Sequence, residues 1–430
     1  MKPYSRIIFV VFIAAVLAVA INLPAARAAG APDGDPPLAV RRVLADVGPL
    51  MERKAYDQAV ARLEAFRSEV DGRHPMVGFV LGSAYLLQND FERAKGILRP
   101  LVAERPAWPD AWLNLAKACY ETGDYGAAAD CFAAAYEHSA EKDPQHLYFC
   151  ATARMLAKQN TGAVAAFERL FQAHPGQVKA QWKEHYVHAL LAVDQPRRAL
   201  PLVKELARIA NGEARVRWQE LTLHLCLQAG MNAEARAMAL DLTREEPTTA
   251  RWWKALAHVE LSAGRHAEAL AALTVYGYLQ PLTEAEQQLW ADLNLQLDIP
   301  GRAAPVYDRL LQHKNDPKLI EKLISAYRQE GRYDEALALL DRNGADDPAK
   351  GMLRADLLYS ARRFTEAAEA YRRAALKNKD AAGQAWLMAG YAAWQDNDLE
   401  TSRQAFRRAS VFKQHKKAAL SAIQQIEAIN

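Results

Sequence analysis

The chain repeats itself with a period of about 34 residues from Leu38 to its C-terminus. A turn-forming residue, a charged or aromatic residue and an alanine return in the same frame, most clearly from Gly123, Gly264 and Gly331. A repeat of this length is typical of stacked helical hairpins and not of a globular enzyme core. The sequence therefore predicts an all-α solenoid.

The spacing has a physical origin, since two helices of about a dozen residues and two tight turns need about 34 residues. Small residues recur where paired helices would cross: Gly82 with Ala94, Ala116 with Ala128, and Ala257 with Ala269. We expect about 10–11 hairpins over residues 38–412, wound into a right-handed superhelix. An amphipathic C-terminal capping helix is expected within residues 413–430, from Lys416 to Ile429.

Residues 1–28 have the pattern of a signal peptide. Lys2 and Arg6 precede an apolar run over residues 7–23, and Ala26-Arg27-Ala28 supplies small residues for cleavage. We expect a mature chain that starts at Ala29, exported to a bacterial periplasm, with a flexible lead over residues 29–37. The apolar run also has the length of an uncleaved inner-membrane anchor, which is the alternative.

Charge argues against nucleic acid as a partner. Cleavage removes three of the 54 basic residues (Lys2, Arg6 and Arg27) and no acid, which leaves 51 of each sign. Phosphate binding needs a net basic face. Membrane contact is expected only through an uncleaved signal or through partner proteins.

The C-terminal end is nevertheless basic, with six basic residues against Glu427 from residue 401 onward: Arg403, Arg407, Arg408, Lys413, Lys416 and Lys417. This is either a solvated helix face or a docking site for an acidic partner or lipid headgroups.

No motif for catalysis or cofactor binding is present, so we expect neither an enzyme nor a cofactor. His185 and His188 stand one helical turn apart, but a zinc site needs three or four ligands, so no metal is expected. Cys119 and Cys131 fall on the two helices of one hairpin. They are either a disulfide or buried apolar side chains, as are Cys150 and Cys226.

The repeat resembles the tetratricopeptide repeat family, for example in Trp253, Leu256-Ala257, Gly264 and Ala269. Repeats one, four, five, eight and ten depart from the pattern, chiefly by lacking the tryptophan or the glycine. The resemblance implies a scaffold that binds protein or peptide segments in a concave groove.

Shorter phrases are similar to bacterial tetratricopeptide proteins associated with the TonB energy-transduction system. They are residues 251–257, 276–279 and 281–283, with 406–409 and 416–419 near the end. This likeness implies an accessory role beside an inner-membrane motor and an outer-membrane receptor.

Aligning the repeats gives candidate groove residues: Phe79, Tyr120, Tyr148, Glu184, His188, Glu220, His224, Lys254, His258 and Asp292. His188, His224 and His258 hold equivalent places, 36 and 34 residues apart, and Asp292 continues the row. This row is either ordinary solvated surface or a peptide-binding surface that gains charge below about pH 6.5. The aromatic candidates are expected to be apolar anchors for an extended or helical segment.

The sequence therefore predicts a non-catalytic periplasmic scaffold that binds proteins or peptides, with TonB-type envelope components as expected partners. The alternative is a scaffold for the assembly or export of envelope polysaccharide or peptidoglycan.

Overall fold

The structure, a computed structural model, describes residues 36–69, 73–312, 314–343, 350–378 and 380–429. The predicted signal peptide and nearly all of the predicted lead lie outside these residues. All regular structure within the described ranges is helical, which confirms the all-α class. The chain divides into two compact units at Gly230, and each is described separately.

Among its described residues, unit 1 contains five helical hairpins followed by one helix. Its α-helices are α1 Leu38–Glu52, α2 Tyr56–Arg67, α3 Pro75–Leu87, α4 Phe91–Glu104, α5 Pro109–Glu121, α6 Tyr125–His138, α7 Pro144–Leu156, α8 Asn160–Ala173, α9 Ala180–Ala192, α10 Pro196–Ile209 and α11 Gly212–Gln228. A short 3₁₀ helix, Pro175–Gln177, lies between α8 and α9.

The described part of unit 2 begins with a single helix, continues with five hairpins and ends with one more helix. Its α-helices are α12 Asn232–Glu245, α13 Ala250–Ser262, α14 His266–Leu279, α15 Glu284–Gln296, α16 Pro300–Leu311, α17 Pro317–Gln329, α18 Tyr333–Arg342, α19 Gly351–Ser360, α20 Phe364–Lys377, α21 Ala382–Gln395, α22 Leu399–Ala409 and α23 Lys416–Ile429.

The hairpin turns share one backbone conformation, whatever residue occupies them. Gly123, Gly264 and Gly331 have φ between 71° and 78°, a region that costs glycine little. Non-glycine residues adopt the same left-handed conformation in the turns of the other hairpins: Lys54, Asn89, Lys158, Asp194, Asp298, Arg362 and Asn397. Repeats one, four, five, eight and ten therefore keep the hairpin turn although they lack the glycine.

Small residues lie where the helices of a hairpin approach most closely. A Cβ added to Gly82 would lie 2.7 Å from a methyl carbon of Leu98, and one added to Gly390 would lie 2.6 Å from the ring of Phe406. Leu98 and Phe406 are fully buried. The missing side chain therefore provides the space that the opposite helix fills.

The first helices of neighbouring hairpins also contact one another, as α1 does α3, α3 does α5 and α7 does α9. Side chains on these first helices consequently share one face of unit 1. In unit 2, α23 buries Ala419, Ala422 and Ile426 in the core of the last hairpins. This helix covers the apolar face that α22 would otherwise expose.

Candidate functional site

Four predicted groove residues of unit 1 lie on the first helices of consecutive hairpins. Tyr120 is on α5, Tyr148 on α7, and Glu184 and His188 on α9. Tyr120, Glu184 and His188 are half-buried. We call the face formed by these four residues the unit 1 surface.

Tyr148 is a structural side chain of this surface, not an open anchor as expected. Its ring stacks on Trp182 and His185, with centroids 5.3 and 5.7 Å away. Its hydroxyl lies 3.0 Å from Nδ1 of His185. Only 4% of Tyr148 is exposed, because these contacts join α7 to α9. An aromatic residue at a groove position can serve the contact between hairpins instead of a ligand.

The unit 1 surface is partly desolvated, and this burial shifts the pKa values of its side chains. Burial raises the pKa of Tyr148 to about 12, with the charge of Glu184 and the phenol of Tyr120 adding to the effect. Burial also raises the pKa of Glu184, and the charge of Arg217 opposes this rise. These shifts follow from the energetic cost of charge in a poorly hydrated place.

The histidines shift in the opposite direction. Burial lowers the pKa of His185 to about 4, with His188 adding to the effect, and burial lowers the pKa of His188 as well. The expectation that His188 gains its charge at about pH 6.5 is therefore wrong, since protonation needs a more acidic solution.

Two residues of the unit 1 surface keep their polar atoms available. Within the described part of the chain, neither Glu184 nor His188 makes a hydrogen bond or an ion pair. Both are half-buried, so water solvates them only in part. A ligand group that met either side chain would replace missing hydration without first breaking an internal bond.

Phe79 differs from the expectation of an apolar anchor. It lies on α3, is 2% exposed, and stacks on Trp108 with ring centroids 4.6 Å apart. Beside it, Asn114 donates to the hydroxyl of Ser83 at 2.8 Å, in a buried contact between α5 and α3. These residues hold two hairpins together, so Phe79 is not open to a partner.

The predicted row of histidines is divided between the units. His188 and His224 belong to unit 1 and His258 to unit 2. His224 is exposed on α11, where Glu220 is half-buried. The three-histidine row therefore stays a prediction.

In unit 2, Lys254 belongs to an ionic network between hairpins. Its Nζ lies 2.7 Å from Oε1 of Glu286 and 5.6 Å from the ring centroid of Tyr276. Hydrogen bonding to Glu286 raises the pKa of Lys254. Partial desolvation lowers the pKa of His258, and the Lys254 cation adds to this. His258 therefore also departs from the expected titration near pH 6.5.

Asp292 is likewise occupied by protein partners. Lys322 on α17 approaches its carboxylate at 2.6 and 2.7 Å, and Tyr307 donates to it at 2.6 Å. Burial, together with this hydrogen bond, raises the pKa of Tyr307. Lys254 and Asp292 thus connect neighbouring hairpins instead of standing free.

Sequence reasoning did not find the most deeply buried of the ion pairs that the described residues form. Glu260 on α13 has a side chain that is 2% exposed and lies within salt-bridge distance of Arg236 on α12 and Arg265 before α14. No motif marks it. Glu286 was also missed, although the Thr283-x-x-Glu286 spacing of a capping box was readable.

The structure also bears on the chemistry of the cysteines and on metals. Cys119 and Cys131 are buried and not in a disulfide. A hydrogen bond between their thiols lowers the pKa of Cys119 and raises that of Cys131. The described residues contain no group of three or more His, Cys, Asp or Glu side chains that would hold a metal ion. Among the same residues, no helix combines the length and apolarity required to cross a bilayer.

Comparison with known proteins agrees with the hairpin pattern. A family model described as tetratricopeptide repeat matches residues 79–146, 225–277 and 352–413, and a second model of that description matches 319–351. No curated protein sequence matches the chain.

The chain matches three solved structures at low identity: YrrB; a tetratricopeptide repeat protein from Parabacteroides merdae; and the Naa15/Naa10 complex bound to HypK. YrrB, titled a TPR protein with an unusual peptide-binding site, is 16% identical over 44% of this chain and 95% of its own, with a TM-score of 0.33. The Parabacteroides merdae tetratricopeptide protein is 16% identical over 59% and 98%, with a TM-score of 0.30. The Naa15/Naa10 match is 13% identical over 86% and 68%, with a TM-score of 0.35.

The matched segments cover half of the chain and coincide with hairpins of both units. The period, the left-handed turns and the small residues at the helix crossings recur throughout the described residues. The chain therefore belongs to the tetratricopeptide repeat family.

Proposed function

We propose that this protein is an exported, non-catalytic scaffold that binds a segment of a partner protein on the unit 1 surface. Repeats of this family mediate protein–protein interactions and typically lack catalysis. The exported location is supported by the signal-peptide pattern of residues 1–28.

We choose the unit 1 surface because its polar side chains differ from those of unit 2 in the partners they already have. Lys254 and Asp292 in unit 2 already have oppositely charged partners at 2.6–2.7 Å. Glu184 and His188 in unit 1 have no ion pair or hydrogen bond among the described residues, although the charge of Arg217 acts on Glu184, and burial disfavours the charged form of each. A ligand therefore gains more at the unit 1 surface, where it breaks no existing pair.

The surface fits an extended or helical segment with one apolar and one polar contact. The half-buried ring of Tyr120 offers apolar area and a hydroxyl, and Glu184 offers a carboxylate two hairpins further on. A basic side chain would form a charge-assisted hydrogen bond with Glu184. Aromatic contact area of this kind often dominates the binding energy of an interface.

Site-specific photocrosslinking in the producing cell tests the surface. A photoreactive residue at Tyr120 or Glu184 should form an adduct with one defined protein. The same residue at Gln172, exposed on the second helix α8, should not. Equal adducts at all three positions, or adducts at Gln172 alone, would place binding elsewhere on the molecule.

The identity of the adduct separates the two candidate systems. We infer TonB-type envelope components as the partners, from the short phrases that resemble proteins of that system. A polysaccharide or peptidoglycan synthase in the adduct would favour the alternative scaffold. N-terminal sequencing of the native protein should return Ala29, whereas Met1 would indicate an uncleaved, tethered chain.

A further inference from the structure

Three large apolar side chains of unit 2 occupy one equivalent position. This position lies twelve residues after the first residue of the second helix of a hairpin. It is held by Tyr278 in α14, by Leu376 in α20 and by Val411 just beyond α22. They are 86%, 71% and 82% exposed. The second helices of unit 1 carry no large apolar residue at this position, which holds Ser68, Ala103, Glu137, Gln172 and Arg208.

Leu376 and Val411 lie at the same end of the last two hairpins. The segment after α22 packs tightly on α21. A Cβ added to Gly383 in α21 would lie only 2.7 Å from the ring of His415 and 2.8 Å from the ring of Phe412. The end of α20 is joined to the start of α21 by the short segment 378–381, and the segment after α22 packs against Gly383 in the first turn of α21. Val411 therefore points to solvent from a packed segment, and its exposure is a feature of the fold.

Exposed basic residues surround these two side chains. They are Lys377 after Leu376, and Arg407, Lys413, Lys416 and Lys417 around Val411. No ion pair involves any of the five within the described residues. Asp380 is the one acid in the two segments 378–381 and 410–415 that connect these helices. We call Leu376, Val411 and these five basic residues the C-terminal edge.

We propose that the C-terminal edge docks on the surface of an anionic lipid bilayer. Leu376 and Val411 enter the interfacial layer, and the basic side chains contact lipid headgroups. Apolar insertion combined with several basic residues is the pattern that makes such binding stable, since neither contribution suffices alone.

The geometry favours a bilayer over an acidic protein segment. A bound peptide needs a groove for its side chains, whereas Leu376 and Val411 protrude with most of their surface in solvent. Four of the five basic residues are lysines, compact charges that suit mobile headgroups better than paired recognition of a fixed carboxylate.

Vesicle co-sedimentation of the protein purified from the producing cell tests the proposal. Wild type should bind vesicles that contain phosphatidylglycerol and should not bind neutral phosphatidylcholine vesicles. Binding to the anionic vesicles should be lost in about 0.5 M salt, which is enough to screen surface charge. Every variant has the same N-terminal segment, so its contribution cancels between them.

Each lysine removed should lower partitioning about fivefold. The triple variant Lys413→Ala, Lys416→Ala, Lys417→Ala should therefore bind on the order of a hundredfold more weakly. Leu376→Ser with Val411→Ser should lower binding several-fold at unchanged salt dependence. Tyr278→Ser, equally exposed but outside the C-terminal edge, should bind as wild type does. Lys318→Ala with Arg328→Ala, which removes exposed charge elsewhere in unit 2, serves as the charge control.

A charge-reversal variant guards against loss of folding. Glutamate at positions 416 and 417 stands in the first turn of α23, where an acidic side chain is more favourable than lysine. Lys416→Glu with Lys417→Glu should thus abolish binding while the thermal midpoint stays the same or rises. Equal binding to neutral vesicles, unchanged binding by the triple variant, or binding of poly-glutamate but not of vesicles would overturn the proposal.

Discussion

Glu286 joins three elements of unit 2, which makes it a sharp test of how the hairpins are held together. Its carboxylate pairs with Lys254 on α13, accepts from Tyr276 on α14 at 3.3 Å, and accepts from the backbone N–H of Thr283 at 2.9 Å. Thr283 in turn caps α15. Desolvation raises the pKa of Glu286, but the hydrogen bonds from Lys254 and Thr283 outweigh this effect and lower the pKa to about 2.

A lowered pKa stabilises the folded chain wherever the group is ionised. The contribution is complete above the unfolded value near 4.5 and is lost as pH falls toward 2. The full shift corresponds to about 3 kcal/mol. Lys254 is 45% exposed, so water competes for it and we expect about 1–2 kcal/mol from the charge of Glu286. Glu286→Gln removes that charge but keeps a capping-box side chain.

Urea unfolding and hydrogen exchange of α13–α15 at several pH values provide the assay. Glu286→Gln should be less stable than wild type by about 1–2 kcal/mol at pH 7, and the difference should shrink between pH 4.5 and pH 2. Glu286→Ala should lose about 1 kcal/mol more, because it also removes the capping box. Glu284→Gln, exposed in the same first turn, should cost only a few tenths of a kcal/mol. A pH-independent difference, or equal costs at Glu284 and Glu286, would refute the reasoning.

Three further expectations follow from the packing. Gly390→Ala should destabilise unit 2 by about 1–3 kcal/mol, because the added Cβ meets the ring of Phe406. Gly96→Ala in α4 should stabilise the protein by about 0.5–1 kcal/mol, because the added Cβ meets nothing within 4 Å. Thermal unfolding measures both changes. Ala257→Pro should reduce hydrogen-exchange protection in α13 and its neighbours and leave α1–α8 unchanged; an end-to-end loss would contradict nearest-neighbour stacking. Once a partner is known, binding of its basic group beside Glu184 should make the Glu184 carboxyl release a proton in mildly acidic solution, because burial raises the pKa of that carboxyl in the free protein. Calorimetry in two buffers detects this release as a buffer-dependent enthalpy.

The sequence was sufficient to predict the hairpins because their boundaries are local. Helices α3, α5, α7 and α9 begin at Pro75, Pro109, Pro144 and Ala180, at intervals of 34 to 36 residues that match the repeat period. Proline fixes the backbone angle of a first helical turn, so its position in the sequence marks the helix start directly. The closing helix from Lys416 to Ile429 was readable for a similar reason, since its apolar stripe stands alone.

The side-chain partners were not predictable from equivalent positions. Aligning repeats compares residues 34 or 36 positions apart, but the observed contacts join residues 30 apart in Asp292–Lys322, 32 in Lys254–Glu286 and 37 in Tyr148–His185. Lysine and aromatic side chains are long enough to reach partners that do not occupy the equivalent position of the next repeat. The period of a repeat therefore predicts which helices meet, but not which atoms do.

Aromatic residues at groove positions show the same limit. Tyr120 and Tyr148 look alike in sequence, yet Tyr148 meets Trp182 and His185 on the next first helix, while Tyr120 keeps part of its ring in water. An aromatic ring is a contact between hairpins when the neighbouring repeat has side chains that pack on it, and it is open to a ligand when the neighbouring repeat has none there. Tryptophan and histidine one turn apart on α9 close over Tyr148, and so they confine the accessible area of the unit 1 surface to Tyr120 and to the carboxylate and imidazole beyond it.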